Sequence, residues 1–254
     1  KNYEVDDKGY KGILYKMQNP LIPLEYCLKR AEKEHPGIDC LVISGDLTED
    51  GTPEDYTELK TFINNKIGDI PIIVTLGNHD NKASFYKGWL EKDEGDVPYN
   101  AIKNIGDIVF ISWDNSKQGN PDGYISEEQM NWLKTAFEEN KDHHIILLTH
   151  HHFIEHQASV PSVRHEKEFE ELLQRYHIDC LLCGHTHHKF AFVYGDVPYY
   201  TADGMSFYAD MLMDGSVRFR ETYGYNYYEI IDGIVKEQCA VTLNNGRTLD
   251  TMYW

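Results

Sequence analysis

The sequence predicts an α/β layered fold, and three observations carry that prediction. Four apolar runs of strand length, Ile38 to Ser44, Ile70 to Leu76, Ile145 to Thr149 and Ile178 to Cys183, are continuous rather than alternating, as expected of strands buried on both faces. Stretches with helical spacing separate them, and strands alternating with helices argue for βαβ units. After Lys189 the helices stop and short strands with turn signals take over, so residues 190–254 read as an all-β layer of the same domain.

In chain order, the helical stretches are Ile22 to Glu34, Pro53 to Lys66, Lys82 to Leu90, Ser126 to Glu139 and Arg164 to Tyr176. Pro53 suits a first helical position, where its missing N–H costs nothing, and Ser126 with Gln129 has the form of a capping box ahead of Met130, Leu133 and Phe137. Tyr99 to Lys103 and Asp107 to Ser112, joined by Asn104, Ile105 and Gly106, suggest an antiparallel hairpin added to the sheet. The late turns fall at Gly195-Asp196, Asp214-Gly215 and Asp232-Gly233, and the tract Gly224-Tyr225-Asn226-Tyr227-Tyr228 reads as strand. The charge cluster Glu166 to Glu171 reads as a solvated helix face. No repeat or linker interrupts the chain, so residues 1–254 are expected to form a single domain.

Hydrophobic residues make up 41% of the 254 residues and aromatics 13%, enough for a sizeable core. A formal charge of -18 argues against a nucleic-acid polymer as partner, because binding one requires Lys and Arg to neutralise phosphates. A small phosphate ester remains an acceptable substrate only if metal ions supply the local positive charge. No apolar run approaches the length that crosses a bilayer, so no membrane span is expected. Cys27, Cys40, Cys180, Cys183 and Cys239 are odd in number and mostly sit in apolar runs, which favours reduced core thiols and a cytoplasmic compartment.

The polar residues that follow each apolar run are the informative ones. The runs end in 45-GDLTEDG-51, 77-GNHD-80, 149-THHH-152 and 184-GHTH-187. In an open parallel sheet, ligands gather beyond the carboxyl ends of the strands, so all four clusters are expected to meet at one edge. Asp46 offers a carboxylate able to bridge two ions, Asn78 an amide oxygen, and His150, His185 and His187 imidazole nitrogens suited to zinc, iron or manganese. Gly45, Gly77 and Gly184 precede these residues, where a missing side chain lets the backbone turn sharply and come close to an ion or phosphate. Other readings fail on particular residues. The stretch from Asp46 to Thr57 imitates an EF-hand loop but ends in Thr57 instead of Glu, and Cys180-x-x-Cys183 has no second pair to complete a tetrahedral zinc site. Neither a G-x-S-x-G elbow nor a G-x-x-x-x-G-K phosphate loop is present.

In this order and spacing, GDLTEDG, GNHD, a strand ending in HH, and GHTH resemble the calcineurin-like metallophosphoesterases, and the resemblance covers nearly the whole chain. The segment 108-IVFISWDNSKQGNPDGYISEEQMNWLKTAFEE-139 is similar to that of class III cyclic nucleotide phosphodiesterases and glycerophosphodiesterases. The resemblance implies a four-layer α-β-β-α sandwich, two mixed β-sheets flanked by helices, with a dinuclear Mn, Fe or Zn centre. It implies that Asp46 bridges both ions, that Asn78, His150 and His185 complete one site, and that His187 belongs to the other. It also implies that His79 binds no metal but contacts the phosphate and stabilises or protonates the leaving oxygen, with Asp80 as a candidate to orient its ring. His150 is favoured over His151 as ligand because it comes first after the strand, although the family's usual His-His-Pro-Pro is replaced here by His150-His151-His152-Phe153. The implied mechanism is in-line attack on phosphorus by a metal-bridging hydroxide.

One motif departs from the family. Its members open with a strand ending in Asp-x-His, and nothing in residues 1–35 has that form: Asp6 and Asp7 lack the histidine, and Asp142-His143-His144 precedes its strand. The missing strand is therefore expected just upstream of Lys1. Three functions stay open: a phosphodiesterase with 3′,5′-cyclic nucleotides among its candidate substrates, a phosphomonoesterase of the same fold, and a mononuclear or inactive metal-binding module.

Overall fold

The computed structural model describes residues 9–154, 157, 163 and 167–253. Asp6, Asp7 and the first three residues of the expected Arg164 to Tyr176 helix lie outside them.

The chain opens with α1 (Gly9–Lys16), which the sequence reading did not foresee, and α2 (Leu21–Glu34). Strand β1 (Leu41–Ser44), α3 (Pro53–Ile67), β2 (Ile72–Thr75) and α4 (Lys82–Gly88) follow. Thr52 caps α3, its backbone N donating to Asp55 Oδ2 at 2.7 Å, with Pro53 in the first turn as expected. Strands β1 and β2 pair in parallel, Leu41 opposite Ile72 and Ser44 opposite Thr75.

The next elements are β3 (Ala101–Ile105), β4 (Ile108–Ser112), α5 (Glu127–Asn140), β5 (His144–Leu148), α6 (Lys167–Arg175) and β6 (Cys180–Cys183). Ile105 pairs with Ile108, so the β3–β4 turn is Gly106-Asp107 rather than Asn104 to Gly106. Gly106 takes φ 59°, the left-handed conformation that a two-residue hairpin loop requires of its first residue. Ser126 Oγ accepts Gln129 N at 3.2 Å, so half of the expected capping box forms. The Gln129 side chain does not return to Ser126; it binds Asn100 and the Asp114 carbonyl.

Strands β7 (Phe190–Tyr194), β8 (Val197–Thr201), β9 (Met205–Met211), β10 (Val217–Ile231) and β11 (Ile234–Met252) complete the chain. The anticipated turns close β7–β8 and β10–β11, where Asp232 and Gly233 both have positive φ, as a type I′ turn demands.

Three ladders make two layers. A six-stranded mixed sheet runs β3-β4-β5-β6-β8-β7, with β4, β5, β6 and β8 parallel. Facing it lie the β1-β2 pair and the antiparallel β11-β10-β9 sheet, so the facing layer consists of two separate ladders among the described residues. Ile73 of β2 with Phe110, Ile146, Leu148, Cys180 and Leu182 forms the seam between the layers, and Tyr228, Ile230 and Val235 of the long hairpin pack on it. Helices α5 and α6 cover the outer face of the large sheet through Met130, Leu133, Phe137, Phe169 and Leu172. On the other side α3 and α4 cover β1-β2 through Tyr56, Ile63 and Phe85, while Ile13 of α1 packs with Phe207, Phe219 and Leu249. The result is the expected four-layer α-β-β-α sandwich. Each fully buried aliphatic or aromatic side chain in these clusters contributes about 1.5–3 kcal/mol relative to exposure. The parallel strands of both layers send their carboxyl ends to the same edge.

Candidate metal centre

At that edge a histidine of the large sheet bonds directly to the backbone of the facing layer. His150, immediately beyond β5, places Nδ1 2.7 Å from the carbonyl of Ser44, the last residue of β1. A carbonyl can only accept, so Nδ1 carries the proton there, and Nε2 faces Asp46 Oδ2 at 3.3 Å. The glycines explain how the chains approach so closely. A Cβ at Gly45 would lie 2.5 Å from His150 Nδ1, one at Gly184 would lie 2.5 Å from the Ser44 carbonyl oxygen, and one at Gly77 would collide with the Asp46 carboxylate.

His185 Nδ1 lies 3.3 Å from His150 Nε2, and the nitrogens of His150, His151 and His185 fall within 4.8 Å of one another. Asn78 is buried with Oδ1 unpartnered in the protein, as is His185 Nε2. Leaving such acceptors unpaired costs about 1–3 kcal/mol each, and a cation held by Asp46, Asn78, His150 and His185 would satisfy them. Mixed oxygen and nitrogen donors of this kind suit Mn, Fe or Zn, so these side chains fit the metal the sequence implied. Asp46 and His185 also hold φ at 53° and 68°, with His187 at 56°, in the left-handed region that side chains rarely occupy and that concentrates at functional sites.

The electrostatics agree with this arrangement. Burial pushes the Asp46 carboxyl up, but the facing His150 and His79 outweigh it and hold it well below the usual carboxylate range. His150 is pulled down by burial and more than restored by Asp46. Burial keeps His151, His185 and His187 neutral, the form that coordinates metals. His152 is likewise lowered by burial to about 4, and both its ring nitrogens are buried without a hydrogen-bond partner.

His187 stands outside the cluster. Its Nδ1 donates to the Phe207 carbonyl at 3.0 Å, which leaves Nε2 as the free nitrogen, and it feels the charges of Asp46, His150 and His79. His151, the alternative to His150, belongs to the cluster by distance. Its Nε2, however, lies 3.2 Å from the Pro121 carbonyl, whereas His150 Nε2 lies 3.3 Å from Asp46 Oδ2.

His79 flanks the cluster. Its backbone N donates to Asp46 Oδ1 at 3.0 Å, and its Nδ1 lies 2.9 Å from Glu49 Oε2. Burial opposes the imidazolium, but the hydrogen bond to Glu49 and the charges of Asp46, Glu49 and Asp50 raise its pKa to about 9. The expected partner, Asp80, does not touch the ring. Asp80 is fully buried and accepts from Leu47 N, Thr48 N, Gly77 N and the Tyr56 hydroxyl, tying the loop after β1 to the loop after β2. Burial and the charge of Asp46 push it up to about 7 against the pull of those donors. The ring is oriented by Glu49, three residues beyond Asp46, and Tyr10 of α1 stacks over it with centroids 5.6 Å apart. The acidic residue inside GDLTEDG was visible in the sequence; Tyr10 had no signal.

Oxygen and nitrogen donors gather at these strand ends, flanked by a histidine–carboxylate pair, and their chemistry could hold a metal ion. Residues 19–189 match the family profile described as calcineurin-like phosphoesterase, and the chain belongs to that family, whose members are hydrolases that generally use a dinuclear metal centre. Among curated relatives, a probable cyclic nucleotide phosphodiesterase of Rhodococcus erythropolis is 27% identical over 201 residues, covering 76% of this chain and 67% of the relative. The probable glycerophosphodiester phosphodiesterase GpdQ of Arcobacter nitrofigilis is 30% identical over 168 residues, covering 63% and 61%. The matches thus span about three fifths to two thirds of those relatives' lengths. The crystal structure of TT1561 from Thermus thermophilus shares the fold, with a TM-score of 0.53 at 15% identity over 88% of this chain and 93% of that one. The names of the relatives agree with the class III resemblance read from the sequence. Among the described residues no helix is long and apolar enough to cross a membrane.

Proposed function

We propose that this chain is a metal-dependent phosphodiesterase acting on small phosphate diesters, with 3′,5′-cyclic nucleotides as the leading substrate class. The observation that carries the reading is the contact of His150 Nε2 with both Asp46 Oδ2 and His185 Nδ1, with Asn78 Oδ1 and His185 Nε2 buried and unpartnered and His79 held by Glu49. In this reading Asp46, Asn78, His150 and His185 would hold one ion of the Mn, Fe or Zn class, and Asp46 with His187 would serve a second. Such ions supply Lewis acidity and neutralise phosphate charge, which a chain of net charge -18 needs at this edge.

The protein's own groups do the rest. Glu49 fixes Nδ1 of His79, so Nε2 is the ring atom left to donate a proton to the oxygen that departs from phosphorus. Asp80 holds the two loops that carry Asp46 and His79 in register. The names of the relatives, a cyclic nucleotide phosphodiesterase and a glycerophosphodiester phosphodiesterase, support the diester preference over the monoester one. Cytoplasmic placement, read from the buried thiols of Cys27, Cys180 and Cys183, and a single domain spanning the chain belong to the same proposal.

The test is hydrolysis of bis-p-nitrophenyl phosphate and p-nitrophenyl phosphate by the full-length protein with added manganese. Turnover of the diester is expected. Monoester-only turnover overturns the diester preference, and no turnover of either makes the protein a metal-binding module.

A further inference from the structure

The segment between β4 and α5, 113-WDNSKQGNPDGYIS-126, contributes nothing to the donor cluster, yet it touches the loops that carry it. Trp113 N donates to the Leu148 carbonyl at 2.8 Å, carrying the β4–β5 ladder one step past the strands. Two residues on, Asn115 is fully buried and uses its side-chain amide as if it were a peptide group: Oδ1 accepts from His151 N at 3.0 Å, and Nδ2 donates to the His151 carbonyl at 3.2 Å. His151 follows His150 directly, so this pairing fixes the backbone from which His150 projects.

The same segment reaches the second and first loops. Asp114, 1% exposed, holds Lys82 Nζ at 2.5 Å, and Lys82 also donates to the Ser116 carbonyl at 3.0 Å. This anchors the start of α4, three residues beyond His79. Gly119 N donates to the Asn78 carbonyl at 2.9 Å, and Gln118 Nε2 to Asp50 Oδ1 at 3.1 Å. Gly123 lies so close to the histidine loop that a Cβ there would sit 2.8 Å from His151 Cγ.

We propose that residues 113–123 form a positioning strap for the metal centre and that Asn115 is its principal residue, setting the direction in which His150 Nε2 faces Asp46. This rests on the metal-site reading above. A group acting only through a ligand's orientation is expected to change metal affinity and turnover without touching substrate, and loss of such outer partners weakens metal affinity about 10–100-fold.

The test compares Asn115→Ala and Asn115→Asp with wild type by manganese titration calorimetry and by kcat and KM on bis-p-nitrophenyl phosphate, each corrected for folded fraction. Asn115→Asp keeps the acceptor for His151 N and the residue's size but turns a carboxylate oxygen toward the His151 carbonyl, so it carries the test should the alanine variant not fold. Leu133→Ala, a cavity behind the same sheet, controls for destabilisation alone. Both Asn115 variants are expected to raise the manganese Kd about 10–100-fold and lower kcat with KM little changed, while Leu133→Ala leaves both values near wild type. Wild-type manganese affinity and kcat in the Asn115 variants would overturn the proposal and leave the enzyme reading intact. A wild-type protein that binds manganese in an Asn115-dependent way but turns over no phosphate ester would sink the enzyme reading alone, and one that binds no manganese overturns both.

Discussion

Asp46→Asn is expected to lower hydrolysis of bis-p-nitrophenyl phosphate by on the order of 10³-fold or more, and to remove tightly bound metal in the same step. Asparagine is the informative replacement. Asp46 holds φ 53°, a conformation asparagine tolerates and alanine does not, so the backbone of the loop is expected to survive while the negative charge is lost. The variant also retains a side-chain oxygen able to accept from His79 N, the contact Asp46 makes at 3.0 Å. What disappears is the carboxylate facing His150 Nε2. Metal content after dialysis, read beside activity, checks the assignment: a variant that keeps its metal and its turnover means that Asp46 is not the bridging group.

His79→Gln is expected to separate chemistry from metal binding. His79 is not one of the three histidines whose nitrogens cluster, and its Nδ1 is held by Glu49 at 2.9 Å, so manganese affinity should stay near wild type. Loss of a positioned general acid costs about 10²–10⁴-fold in kcat, but only where the departing oxygen needs a proton. A nitrophenolate leaves readily without one, whereas the ribose oxygen released from a cyclic nucleotide does not. The loss is therefore expected to be large on a 3′,5′-cyclic nucleotide and much smaller on bis-p-nitrophenyl phosphate. Glu49→Gln, which keeps a hydrogen-bond partner but removes the charge, should show the same substrate ordering with a smaller loss, about 10-fold. Equal losses on both substrates would assign His79 to holding the phosphate rather than to proton transfer.

The sequence showed which residues come together better than how they are held. That Asp46, His150 and His185 meet was legible because each follows an apolar run, and parallel strands must deliver their carboxyl ends to one edge. The partner of His79 was read wrongly because adjacency in sequence says little about direction: Asp80 points inward to four donors, while Glu49 comes from the loop after another strand. The same reason hides Asn115, whose partner His151 is 36 residues away and whose own neighbourhood is irregular loop without periodicity. Gln129 shows the limit of local rules. Its position fits a capping box, yet the buried Asp114 carbonyl and Asn100 hold its side chain instead. Helix α1 escaped notice because its eight residues, two of them glycine, carry a weak helical pattern and are ordered by packing Ile13 against Phe207 and Leu249.

The measurement that bears most directly on the central claim is anomalous diffraction from crystals of the full-length protein grown with manganese. The account predicts an anomalous peak within bonding distance of Asp46, Asn78 Oδ1, His150 Nε2 and a His185 nitrogen. A peak held by other residues, or manganese bound only at the surface with those four side chains still unligated, would contradict it.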